Sequence, residues 1–180
     1  MDPILTIKKE YLAKRIDPRN NTYEELLNFP THFEIETINA CNARCPMCTI
    51  DEWNKDEKMM SDELFKKIIE EIAQHKDTVK RVNLYRDGEP LLDKKLPNRI
   101  ALCKELGIPN ISISTNVSLM SEDLATSLLL SGIDMITLSI DSLNKDVYES
   151  IRRGLNFDEV LNNARNLLDI RNRLKSSCEI

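Results

Sequence analysis

Four times in succession a short run of β-branched and apolar residues gives way to a longer stretch with apolar residues at helical spacing. This alternation constrains the fold more than any single motif. Residues 32–38, 79–85, 110–115 and 135–140 read as strands. Ser61 is a candidate N-cap for a helix through about His75, with Leu64, Ile68 and Ile72 on one face and Phe65 and Ile69 beside them. Residues 96–106 form a second helical stretch that stops at Gly107. Ser121 caps a third, through Leu130, that stops at Gly132. Asn156 and Glu159 resemble a capping box for a last helix carrying Val160, Leu161, Ala164, Leu167 and Leu168. Strands alternating with helices predict an α/β chain with a parallel sheet and helices packed outside it. Right-handed crossovers curl such a sheet into a partial (β/α) barrel, here of about four parallel strand–helix units. Residues 1–30 are a mixed, polar N-terminal extension, in which Thr22 and Glu25 suggest a short helix through Leu26 and Leu27 ended by Pro30. Residues 31–180 form the core domain.

Barrels of this kind collect their chemistry at the C-terminal ends of the strands, and the unusual residues stand there. Cys41, Cys45 and Cys48 follow the first strand, Asp87-Gly88-Glu89 the second, Thr115-Asn116 the third, and Ser139 and Asp141 close the fourth. The cysteine spacing is C-x3-C-x2-C. Three thiolates in one loop can hold three irons of a [4Fe–4S] cluster, whereas an ordinary electron-transfer cluster takes four cysteines. The missing ligand leaves one iron open to a substrate or cofactor, as in catalytic metal sites generally. A structural zinc site wants four ligands, and neither His32 nor His75 stands at ligand spacing from the triplet. Five cysteines with three clustered argue for metal binding in a reducing compartment rather than a disulfide framework. Cys103 and Cys178 read as buried small apolar residues or free thiols.

A net charge of −5 and an aromatic content of 5% exclude a broad basic surface for nucleic acid. No apolar run approaches a membrane span, and residues 1–10 lack the apolar core of a signal peptide. The expected location is cytoplasmic. The charged segment 51–58 reads as a solvated loop or a flap over the site.

The phrase from Phe33 through the cysteine loop is similar to the first strand and cluster loop of the radical S-adenosylmethionine (SAM) superfamily. Asp87-Gly88-Glu89-Pro90 resembles that family's second-strand motif, usually Gly-Gly-Glu. Ser112 to Asn116 resembles its third-strand end, and Ser139 to Ser142 with Tyr148 to Gly154 its fourth unit. The nearest likeness is to members that carry a C-terminal auxiliary-cluster domain and modify peptides or proteins.

The resemblance implies that Cys41, Cys45 and Cys48 ligate a [4Fe–4S] cluster and that SAM chelates the fourth iron. It places Met47 beside the adenine, Gly88 and Glu89 at the methionine amino group, and Ser139 and Asp141 at the ribose. Ser114 and Asn116 add polar contacts, and Arg152 faces the SAM carboxylate. The implied activity is reductive cleavage of SAM to a hydrogen-abstracting radical, in peptide or protein modification. The alternatives are a small-molecule radical SAM oxidoreductase or a truncated iron–sulfur binding module without turnover. A flavodoxin- or ferredoxin-type electron donor is the implied partner. Two departures stand out: Asp87 replaces the first glycine of the doublet, and the family's fifth and sixth units are absent. The chain is therefore expected to be a fragment of a longer protein or a reduced form, with residues 176–180 opening a fifth strand.

Overall fold

The computed structural model describes residues 29–52 and 59–180. The N-terminal helix expected around Leu26, and most of the charged segment 51–58, lie outside the described residues. Four strands, β1 (His32–Glu34), β2 (Arg81–Asn83), β3 (Ile111–Thr115) and β4 (Met135–Leu138), form one sheet in the order β1-β2-β3-β4. Every neighbouring pair is parallel. The connections carry α1 (Asp62–Ala73), α2 (Leu96–Glu105) and α3 (Glu122–Leu130), and β4 is followed by α4 (Lys145–Ile151) and α5 (Phe157–Leu174). The partial parallel barrel read from the sequence is the fold observed. On the free edge of β4, Glu179 bridges Met135 in parallel, with Ile136 N donating to Glu179 O (2.8 Å). A single parallel bridge thus stands where the sequence suggested the opening of a fifth strand.

The helix boundaries follow from local chemistry. Ser61, Ser121 and Asn156 each accept a hydrogen bond from the backbone N–H three residues on, capping α1, α3 and α5. Gly107 and Gly132 end α2 and α3 at φ of 78° and 84°, a region that suits glycine.

Side-chain alternation divides the sheet into two faces. Val82, Ile111, Ile113 and Ile136 are fully buried and belong to one core with Phe65, Ile69, Ile100, Leu128 and Leu167 from the helices. The registers place Asn83, Ser112 and Met135 in one row and Ser114 beside Thr137 in the next. The face away from the helices is therefore largely polar. Ser112 Oγ donates to Asn83 Oδ1 across it (2.5 Å).

Several sequence expectations need correction: β2 spans Arg81–Asn83 rather than residues 79–85, and β4 ends at Leu138 rather than at residue 140. The first strand ends at Glu34, not Ile38: the chain leaves the ladder, and Ile38 instead makes an antiparallel bridge to Met59. The segments on either side of the cysteine loop thus meet at its base. Helix α4 was not foreseen. It has seven residues, too few for a hydrophobic period to declare itself, and its start rests on Asn144, whose side chain accepts from Val147 N.

Candidate active site

The segments that follow β1 and β2 are joined by the Glu36 carboxylate and by main chain. Glu36 Oε1 accepts from both Asp87 N and Gly88 N (3.0 Å each), and Glu89 N donates to Ala40 O (2.8 Å). Gly88 is required here for a reason other than ligand approach. A Cβ at this position would lie 2.1 Å from Ile38 O and 3.1 Å from Ala40 O, both backbone atoms.

Glu89, only 3% exposed, spans from this junction to the end of β3. Its Oε1 accepts from Thr115 Oγ1 (2.6 Å) and Leu91 N (3.1 Å), and its Oε2 from Asn116 N (2.8 Å). Burial pushes its carboxyl above the usual carboxylate range, against the opposing pull of those hydrogen bonds and of the Arg152 charge. Thr115 Oγ1 also accepts from Val117 N, and Val117 holds a φ of 67°. That backbone region is strained for a β-branched residue. It marks the β3 end as over-determined by its neighbours.

The cysteine loop is tied to the same place. Asn116 Nδ2 donates to Asn42 Oδ1 (2.9 Å), Asn42 Nδ2 donates to Ser118 Oγ (2.8 Å), and Asn116 Oδ1 accepts from Ser118 N (3.0 Å). Further along, Arg44 N donates to Arg153 O (2.8 Å). The loop that bears the thiols is thus fixed from β3 and from the segment after α4.

Around these ties opens a cavity of about 310 Å³. Cys41, Cys45 and Cys48 line it, and so do Met47, Gly88, Glu89, Ser114, Asn116, Ser139 and Arg152. Of the residues singled out in the sequence, only Asp141 is not on its wall. Asp141 sits beside Arg152, its carboxylate taking Arg152 Nε (2.5 Å) and Nη2 (3.2 Å). Ser114 and Ser139 face one another, hydroxyl to hydroxyl, at 3.2 Å. Met47 is 61% exposed at the mouth. Sequence reasoning missed Glu36 and Asn42, and it noted Thr115 at the third strand end without giving it a role. None stands in a pattern that betrays its role: each acts on a partner far along the chain.

The donor set suits a polynuclear cluster. All three thiols open on one cavity, and three thiols from one loop are the donor type that iron–sulfur clusters take. Two sulfurs already accept N–H bonds, Cys41 from Ala43 N (3.4 Å) and Cys45 from Arg152 Nη1 (3.8 Å). Such bonds are a recognised influence on iron–sulfur clusters. Burial raises the Cys41 thiol above its ordinary value, and the neighbouring Glu89, Cys45 and Cys48 add to that.

A model of the Radical SAM superfamily matches residues 35–177. Among curated relatives, a probable GTP 3′,8-cyclase of Methanocaldococcus jannaschii is 30% identical over 138 residues, covering 76% of this chain and 45% of its own length. Others of the same name match similarly, and this chain spans less than half the length of each. Among solved structures, anSMEcpe with bound AdoMet superposes with a TM-score of 0.66 at 21% identity, over 79% of this chain and 42% of its own. Streptococcus suis SuiB bound to the precursor peptide SuiA gives a TM-score of 0.66 at 20% identity, over 94% and 36%. At such identities the two structures speak for the fold alone. The expectation of a nearest likeness to peptide-modifying members is therefore corrected, since these sequence relatives bear the name of a GTP cyclase. Among the described residues no helix is long and apolar enough to cross a membrane.

Proposed function

The chain belongs to the radical SAM superfamily, whose members bind a [4Fe–4S] cluster and SAM, and from that premise we propose that it is the cofactor-binding part of an enzyme that abstracts hydrogen from a small polar molecule. The observation that carries this reading is the meeting of three thiols from one loop with the Gly88-Glu89 turn, Ser139 and Arg152 on one cavity. The chemistry supplied there is one-electron reductive cleavage of SAM to methionine and a 5′-deoxyadenosyl radical, which takes a hydrogen atom from the substrate.

The protein's own contribution is to bind, orient and exclude. Cys41, Cys45 and Cys48 would hold the cluster's irons as thiolates. The turn at Gly88 presents its backbone to the cavity, where Glu89 adds a carboxylate suited to an ammonium group. Ser114 and Ser139 offer hydroxyls to a ribose, and Met47 covers an adenine face. GTP is the first substrate to try, because the sequence relatives carry it in their name. An external one-electron donor completes the cycle.

The test is anaerobic. The protein is reconstituted with iron and sulfide, then given dithionite and SAM, with and without GTP. The expected result is 5′-deoxyadenosine that disappears in Cys45→Ala and rises with GTP. A cluster-loaded protein that never cleaves SAM would refute the reading. Cleavage that ignores GTP would refute the choice of substrate and leave the rest.

A further inference from the structure

Arg152 joins two groups no sequence pattern links. One edge of its guanidinium grips Asp141 through Nε and Nη2, and Nη1 points to Cys45 Sγ at 3.8 Å. The arrangement is held from below. Arg152 N donates to Tyr148 O (2.7 Å), and the Tyr148 ring is fully buried against Phe157, with ring centroids 5.4 Å apart. The Arg152 side chain is 21% exposed and that of Asp141 35%, so solvent screens part of the pair while Nη1 lies against the sulfur. A guanidinium is positive at any working pH.

Resting on the proposed function, we infer that Arg152 is a positioning residue that sets the cluster's reduction potential through its bond to Cys45, and that Asp141 is its holder. On reduction the cluster gains one electron, here from dithionite, and one unit of negative charge. A fixed cation at a ligand sulfur stabilises that state, as hydrogen bonds to cluster sulfurs do generally. Asp141 has two opposed effects, since it fixes the guanidinium and also offsets part of its field. Asp141→Asn keeps an amide oxygen to hold the guanidinium and removes only the opposing charge, so substitution of the two members of the pair displaces the potential in opposite directions. A role confined to holding the loop in shape would make both variants change alike.

The experiment is a redox titration of the reconstituted protein without SAM, followed by electron paramagnetic resonance. It compares the unaltered chain with Arg152→Met, Arg152→Lys and Asp141→Asn. In Arg152→Met the ratio of reduced to oxidised cluster at fixed potential should fall about tenfold, which for a one-electron couple is about 59 mV. Arg152→Lys keeps the charge but loses the fork, and should fall by less. Asp141→Asn should raise the ratio. If Arg152→Met takes up no cluster, the opposite signs of Arg152→Lys and Asp141→Asn still carry the test. Shifts of the same sign would overturn the inference. So would unchanged potentials accompanied by weaker SAM binding, which would assign Arg152 to the SAM carboxylate alone. If the unaltered chain assembles no cluster, the proposed function falls and this falls with it. An assembled cluster with unmoved potentials sinks only the present inference.

Discussion

Replacing Gly88 with alanine tests whether the junction between β1 and β2 is as tight as the geometry says. The new Cβ would sit 2.1 Å from Ile38 O and 3.1 Å from Ala40 O. Real Cβ atoms do not come within 3.0 Å of such neighbours, so the two backbones must part by roughly 1 Å, an amount interiors resist strongly. The neighbouring bonds cannot all survive that separation: Glu89 N to Ala40 O at 2.8 Å, and Asp87 N and Gly88 N to Glu36 at 3.0 Å. Overpacking costs about 1–3 kcal/mol, and each buried donor left unpaired about 1–3 kcal/mol. With one bond lost, the sum is about 2–6 kcal/mol, a large share of a typical domain's stability. Urea unfolding of the metal-free protein measures it, with Gly132→Ala as comparator. Gly132 is exposed, has a φ of 84°, and its Cβ would meet only the flexible Lys104 side chain at 3.3 Å, so its substitution carries mainly the left-handed backbone cost of about 1–2 kcal/mol. If Gly88→Ala unfolds within about 0.5 kcal/mol of the unaltered protein, the reasoning is refuted, and the glycine serves ligand approach instead.

Glu89 supplies a pH signature. Its carboxyl is raised by burial in the folded state, so between the ordinary carboxylate range and that raised value the folded protein keeps a proton that the unfolded chain has released. Its contribution to stability therefore declines as pH rises through this window. Urea midpoints between about pH 4 and pH 7 should show this slope in the unaltered protein and lose it in Glu89→Gln; an identical slope in both would exclude Glu89 as its source. Asn116→Ala removes the amide that ties Asn42 to the end of β3, leaving only the direct Asn42–Ser118 bond. It should cost about 1–2 kcal/mol and speed loss of the reconstituted cluster to a chelator, while a chelation rate equal to that of the unaltered protein would show that the amide does not restrain the loop.

What the sequence declared was local. Ser61, Ser121 and Asn156 cap their helices within three residues of their partners. Gly107 and Gly132 end helices by their own backbone freedom. The cysteine spacing is likewise contained in one loop. What it hid was non-local: Glu36 acts on Gly88, 52 positions away, and Asn116 on Asn42, 74 positions away. Arg152 was singled out, but its partners Asp141 and Cys45 emerge only once α4 folds. The residues on the cavity were legible in kind, because strand ends converge in this fold. Their division of labour was not, since that depends on which side chains the backbone leaves free.

Asp87 illustrates that division. In the sequence it departs from a glycine doublet and adds a charge where SAM is expected. The two positions are not equivalent in the structure. Asp87 needs no positive φ, and it contributes to the junction only a backbone N–H, which any residue but proline supplies. The steric demand falls on Gly88, against Ile38 O. An aspartate can therefore replace the first glycine without disturbing the joint. Its carboxylate reaches the cavity wall, with the Arg86 guanidinium 3.7 Å away to offset part of the charge. The motif's constraint at this junction thus reduces to one glycine, fixed by a carbonyl from the neighbouring strand end, and one buried glutamate, fixed by three donors.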